Sequence, residues 1–282
     1  MIFRARNFEF NLSKRVLIMG VVNVTPDSFS DGGKFLDPVK AMEHAKELVS
    51  DGADILDLGA VSTRPGALAV SFEEERQRLM PALEKILKSV PVPVSVDTTS
   101  AKIAEEALGM GAAIINDVSG LRDEPEIARI AAGADAGLIL MHRRGNSETM
   151  QDLAVYRNVV KDVIEELYES ICIARAAGVE DESIVIDPGI GFSKTAEQNL
   201  EILNRLSEFL ELGCPVLVGT SRKSFIGKVL NREVSERKIG SIASCVLAVR
   251  EGARLVRVHD VKEVRDAVDM TLAIIQDKEN CS

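Results

Sequence analysis

Carboxylates, amides and cations recur in this chain at one kind of place, directly behind short apolar runs. In order they are Asn23, Asp57, Asp97, Asn116, His142, Asp187, Ser221 with Lys223, and Arg257 with His259. Such groups bind polar ligands and stabilise developing charge. An unpaired polar group at the end of a buried strand costs about 1–3 kcal/mol, so packing alone does not account for the set. Any one of them could instead satisfy a neighbour across the fold, and for Asp57, two residues inside its strand end, that is the favoured reading. The first place is also the most elaborate: at 21–33 the chain reads "VVNVTPDSFSDGG", a strand running into turn formers and side-chain oxygens.

The elements that would carry these residues alternate along the whole length. Apolar runs "VLIMGVVN" (16–23), "ADILDLG" (53–59), "VPVSVD" (92–97), "AAIIND" (112–117), "GLILMH" (137–142), "SIVIDPG" (183–189), "CPVLVGT" (214–220) and "ARLVRVH" (253–259) are each followed by an amphipathic segment. That is the pattern of parallel βα units. Asp37 with Pro38 suits one helix start and Gly52 its stop, and Ser71 with Glu74 has capping-box spacing. Eight units in this length fit a single closed (β/α)8 barrel, whose chemistry gathers at the C-terminal ends of its strands. An open doubly wound sheet fits less well: no GxGxxG follows the first strand, and polar residues mark nearly every strand end instead of one switch point. Alternating Phe8, Phe10 and Leu12 predict a short N-terminal β-hairpin over the barrel's lower mouth within residues 1–15. Residues 276–282 read as a frayed tail, and the whole of 1–282 as one domain.

The chain has 282 residues, 46% of them apolar, and a formal net charge of −10. The acidic balance argues against a nucleic-acid surface, and any anionic ligand would need a local cationic cluster. The sequence offers no apolar run of membrane-spanning length and no secretory-type N-terminus, so a soluble, cytoplasmic protein is expected. Cys172, Cys214, Cys245 and Cys281 are far apart without CxxC spacing, which suits free thiols.

Eight collinear strings carry a resemblance: "VVNVTPDSFSDGG", "STRPGA", "SVDT", "IND", "MH", "DPGIGF", "GTSRKSFIG" and "RVHD". Together, over about Val16 to Asp260, they resemble dihydropteroate synthase, a pterin-binding TIM-barrel transferase of folate biosynthesis and a sulfonamide target. The resemblance implies condensation of 6-hydroxymethyl-7,8-dihydropterin diphosphate with 4-aminobenzoate, giving 7,8-dihydropteroate and pyrophosphate through a cationic pterin species. It assigns the pterin to Asp97, Asn116, Met141, Asp187 and Lys223. It assigns the diphosphate to Asn23, Arg64, Arg257 and His259, with Asn23 also contacting Mg2+. The aminobenzoate falls to Phe29, Thr63, Pro65, Phe192, Ser221 and Ser224. Asp97, Lys223, Asn23, Arg257 and His259 are the expected catalytic group, and the loops at 25–33 and 62–72 the expected lids.

One departure stands out. The family usually has Gly-Glu before "STRPG", whereas this chain has Ala60-Val61, so a carboxylate is missing at the root of the second loop. Two rivals follow: a catalytically weak pterin-binding paralogue, suggested by Val61, and a pterin-dependent methyltransferase, which has no need of "STRPG" or "GTSRKS". Arg143 and Arg144 are expected to add positive field near the mouth. A homodimer is expected, with small residues Gly240, Ser244 and Ala248 marking a face for a partner or for packing onto the barrel.

Overall fold

The computed structural model describes residues 1–25, 37–62, 66–67 and 70–279. Two antiparallel strands, β1 (Ile2–Ala5) and β2 (Phe8–Asn11), form the expected hairpin. Eight parallel strands follow: β3 (Leu17–Asn23), β4 (Ile55–Gly59), β5 (Val94–Asp97), β6 (Ile114–Asp117), β7 (Gly137–Met141), β8 (Ile184–Asp187), β9 (Leu217–Val218) and β10 (Leu255–Val258). Their order is β8-β7-β6-β5-β4-β3-β10-β9, and a parallel bridge between Ile186 and Val216 joins the two ends. The result is the (β/α)8 barrel that the alternation predicted.

The helices lie outside the ring: α1 (Pro38–Ser50), α2 (Phe72–Leu87), α3 (Ala101–Met110), α4 (Glu126–Gly133), α5 (Val159–Ala176), α6 (Ala196–Asn204), α7 (Ser224–Leu230), α8 (Lys238–Arg250) and α9 (Val261–Glu279). Their starts follow local chemistry. The Asp37 carboxylate accepts from the Val39 N–H at 2.9 Å, and Ser71 accepts from the Glu74 N–H at 3.3 Å. The reciprocal capping box occurs instead at α6, between Thr195 and Gln198.

The core has two parts because successive strand residues face opposite sides. Outward residues such as Ile18, Leu56, Leu58, Val96, Ile115, Leu138, Ile186 and Val256 pack under the helices. Inward residues form a floor: Met19, Ile55, Ile114, Ile139, Val185, Leu217 and Leu255, joined by Phe3, Ala5 and Leu12 of the hairpin segment. The hairpin is seated tightly, since a Cβ on Gly137 would lie 2.9 Å from the Phe3 ring. The Arg6 N–H also donates to the Asp135 carbonyl at 2.7 Å. With the floor closed, only the upper end of the barrel is open for chemistry.

Candidate active site

Above the floor, most of the same strands turn polar. Asn23, Asp97, Asn116, Met141, Asp187, Gly219 and Arg257 line one cavity of about 540 Å3 at the C-terminal end of the barrel. Phe192, Ser221, Lys223, Ser224 and His259 complete it from the loops that follow β8, β9 and β10. Residues separated by more than 200 positions thus share one wall. The alternation of the strands aims each inward, and the barrel register brings the strand ends level.

The centre of the site is an ion-pair network. Arg257 Nε donates to Asp57 Oδ2 at 2.5 Å and its terminal nitrogen to Asp97 Oδ2 at 3.1 Å. Asn116 Nδ2 donates to the same Asp57 oxygen at 3.2 Å. Asp57 itself is fully buried. It therefore satisfies neighbours across the barrel, fixing the guanidinium and amide that face the cavity. Removing one partner from such a pair leaves a buried charge uncompensated, so the arrangement holds as a unit.

Asp97 and Asp187 are both buried, and burial pushes both carboxyls up. For Asp97 the push reaches about 7, because Asp57, Glu75 and Asp117 add to burial and outweigh the Arg257 charge. Asp187 is partly relieved by Lys223 and by the Gly189 N–H, which donates to Oδ1 at 2.7 Å. Lys223 donates to the Ile190 carbonyl and stands 4.6 Å from the Phe192 ring centroid, a cation–π contact. Burial lowers its pKa to about 8, against the opposing pull of Asp187 and Asp97. Gly189 and Gly191, with φ of 71° and 85°, let the turn after β8 pass close to both lysine and strand. A Cβ on Gly189 would lie 1.9 Å from the His142 carbonyl oxygen, and one on Gly191 3.0 Å from Lys223 Cδ.

Ser221 and His259 meet directly. The His259 backbone N–H donates to Ser221 Oγ at 3.2 Å, and that hydroxyl lies 2.9 Å from His259 Nδ1. With Oγ donating to Nδ1, the ring carries its proton on Nε2. Asp117, beside Asn116, turns away and binds Ser119 and Leu121 N–H groups at 2.8 and 2.7 Å.

The structure brings together Asn23, Asp97, Asn116, Met141, Asp187, Phe192, Ser221, Lys223, Ser224, Arg257 and His259. Phe29, Thr63, Arg64 and Pro65, and the 26–36 stretch of the first loop, lie outside the described residues. Val61 and Ser62, at the root of the second loop, line the cavity.

His142 does not line it: the ring is buried behind the wall. The expected positive field from Arg143 and Arg144 is cancelled locally, since Arg143 pairs with Asp123 and Arg144 with Glu166. Thr25, Val118, Gln151, Arg222 and Arg237 also line the site, beyond the residues that the sequence singles out. Arg237 has no local signal to offer, since it precedes a helix far from any strand end.

The comparisons agree with this geometry. The sequence pattern of the family described as pterin binding enzyme matches residues 19–259. A dihydropteroate synthase of Clostridium beijerinckii is 48% identical over 95% of this chain and 97% of its own length. The Yersinia pestis dihydropteroate synthase, solved with a sulfonamide drug complex, superposes with a TM-score of 0.93 at 39% identity, covering 98% of this chain and 100% of that one. The Thermus thermophilus enzyme, solved with 4-aminobenzoate, gives 0.87 at 44% identity over 97% and 99% of the two chains. In complex with 6HMPPP it gives 0.84 at 42% identity over the same shares. The chain belongs to the pterin-binding enzyme family, and within it to the dihydropteroate synthases, transferases that join a pterin diphosphate to 4-aminobenzoate.

Proposed function

We propose that the condensation runs through a dissociative path whose steps are divided among the cavity walls. The observation that carries this is the convergence of Asp97, Asn116, Asp187, Lys223 and Arg257 on one cavity. Asp187 and Asn116 read the guanine-like edge of the pterin, and Lys223 reaches its carbonyl edge. Met141 packs on the ring face, a use suited to a soft thioether. The bond between the pterin methylene carbon and the bridging diphosphate oxygen breaks first, with its electron pair leaving on pyrophosphate. Asp97, held beside Arg257, stabilises the cation left on the pterin-methyl group. The aniline nitrogen then forms the new C–N bond and loses a proton.

Arg257 and His259, with Arg64, take the diphosphate. Phe192, Ser221 and Ser224 receive the aminobenzoate, together with Phe29, Thr63 and Pro65. A sulfonamide, as in the Yersinia pestis complex, would compete for that half of the site.

Mg2+ fits the donors present. Asn23 supplies one neutral oxygen at the cavity wall, and among the described residues no three His, Cys, Asp or Glu side chains form a metal cage. Asn23 would hold such a hard cation through its side-chain oxygen. When bound, it neutralises charge on the leaving group.

The test is pyrophosphate release with both substrates and Mg2+, against omission of 4-aminobenzoate. Release that depends on aminobenzoate supports the reading. Pterin diphosphate binding without release would support the weak paralogue suggested by Val61.

We further propose a cytoplasmic homodimer. Cys172, Cys214 and Cys245 are free thiols, in keeping with a reducing compartment. Among the described residues no helix is long and apolar enough to cross a membrane. The face of α8 bearing Gly240, Ser244 and Ala248 turns inward: Ser244 Oγ donates to Thr220 Oγ1 at 2.9 Å, Ala248 is buried, and Gly240 lies against Ile226. The exposed apolar residues are instead Ile239 and Leu247 on α8 and Met270 and Ile274 on its packed neighbour α9. They are the surface a second copy would cover. Sedimentation at twice the 30.6 kDa chain mass, shifted toward one chain by Leu247→Lys, is the expected result.

A further inference from the structure

Behind the cavity wall lies a second polar cluster, built on the buried Lys194 and His142. Lys194 is 3% exposed, and its ammonium reaches three acceptors: His142 Nδ1 at 2.9 Å, the Phe192 carbonyl at 3.0 Å and the Gly189 carbonyl at 3.2 Å. Among the described residues no carboxylate lies within ion-pair distance of it. A buried cation without a counter-ion is costly, so each of its three N–H groups must be used. For His142 Nδ1 to accept, the ring must be neutral and protonated on Nε2. Glu166 Oε2 stands 3.1 Å from Nε2 and holds that tautomer, and Arg144 Nε holds Glu166 at 2.8 Å. Burial and the neighbouring ammonium push His142 down to about 3, so it stays neutral through the physiological range.

Two of the three acceptors of Lys194, the Gly189 and Phe192 carbonyls, belong to the turn Gly189–Phe192, whose inner carbonyl, Ile190, accepts from Lys223 on the cavity side. One four-residue turn is therefore clamped between two ammonium groups, one facing the ligand and one behind. Phe192, at the end of the turn, lines the aminobenzoate half of the cavity. We propose that Lys194, supported by His142 and Glu166, is a positioning residue that sets Phe192 and the Ile190 carbonyl for aminobenzoate, an inference that rests on the transferase reading above.

A neutral amine offers only two N–H donors and cannot hold three acceptors. The groups facing Lys194 are His142 after β7, Arg144 in the following loop, Glu166 on α5, Asp187 ending β8 and Lys223 before α7. Burial is the strongest influence on it, helped by the Lys223 and Arg144 charges and opposed by Asp187 and Glu166. Together they bring its pKa down to about 7. As pH rises through that value the clamp loses a bond, so the KM for aminobenzoate should rise while kcat holds.

The test is steady-state pyrophosphate release against 4-aminobenzoate from about pH 6 to about 8.5, with calorimetric binding of pterin diphosphate alone. Lys194→Met should raise the aminobenzoate KM about tenfold or more, change kcat and pterin affinity less than about threefold, and flatten the rise of KM with pH. Glu166→Gln, outside the cavity, should shift the same KM by about threefold and serves if Lys194→Met does not fold. Unchanged aminobenzoate KM and pH profile in whichever variant folds would overturn the inference alone. No aminobenzoate-dependent release from the unmodified chain would overturn the transferase reading and this inference with it.

Discussion

The lower and upper layers of the barrel interior are made by the same strands, two residues apart, about 6.6 Å along each strand. On β4 the pair is Ile55 and Asp57, on β6 Ile114 and Asn116, on β8 Val185 and Asp187, on β10 Leu255 and Arg257. The lower members are dry, fully enclosed and sealed by the hairpin. The upper members are charged or amide-bearing and partly paired with one another; Asn116, Asp187 and Arg257 face a cavity, and the buried Asp57 holds two of them in place. Strand parity decides that a side chain points inward; height in the barrel decides whether it serves stability or chemistry. Ser95, whose Oγ is buried without a partner, and Asp57, whose Oδ1 is likewise unpartnered, sit beside each other in register where the two layers meet.

If that division is real, mutations in the two layers should fail in different ways. The largest effect is expected in the upper layer: Asp97→Ala or Lys223→Ala should lower kcat/KM about a thousandfold or more, far beyond the loss that any accompanying change in stability produces. Near wild-type kinetics for either would break the assignment of chemistry to this layer.

In the lower layer, Ile139→Ala should cost about 2–5 kcal/mol in denaturant unfolding and leave the KM for both substrates unchanged. A change in KM without loss of stability would mean that the floor also shapes the site.

The smallest effect sharpens the boundary. Asp97 has its folded-state pKa raised from near 4 to about 7, chiefly by burial, so its protonated form is the one the fold favours. That contribution is fully present below about pH 4 and is lost as pH rises through about 7. The ligand-free chain should therefore lose stability relative to Asp97→Asn between about pH 4 and about pH 7, read as diverging melting temperatures. Parallel curves would place the Asp97 charge in the ion pair with Arg257 throughout.

Much of this was legible in the sequence, because apolar runs and polar strand ends are local signals. All eight barrel strands fall inside the runs read from it, and seven of those runs supplied cavity-lining residues, β4 alone contributing through the residues that follow it. Pairings across the ring were not legible. Nothing local says that Arg257 meets Asp57, 200 positions away, or that Arg144 spends its charge on Glu166. The inward face of Gly240, Ser244 and Ala248 was equally hidden, since small residues suit either a partner or the barrel, and only the position of α7 decides. Lys194 follows directly on "DPGIGFS", yet a lysine after a glycine turn reads as solvent-exposed until the turn is seen to fold over it.

The seating of the hairpin bears on how the chain is made. Its docking surface includes Gly137, Ile139, Val185 and Leu255, and Arg4 reaches Glu182. Synthesis runs from the N-terminus, so residues 1–12 leave the ribosome ahead of the barrel strands, yet their seat is complete only when the last strand has emerged. A segment translated before the whole barrel is thus among the last to be buried, and while the barrel strands are being made its phenylalanines have nowhere native to go.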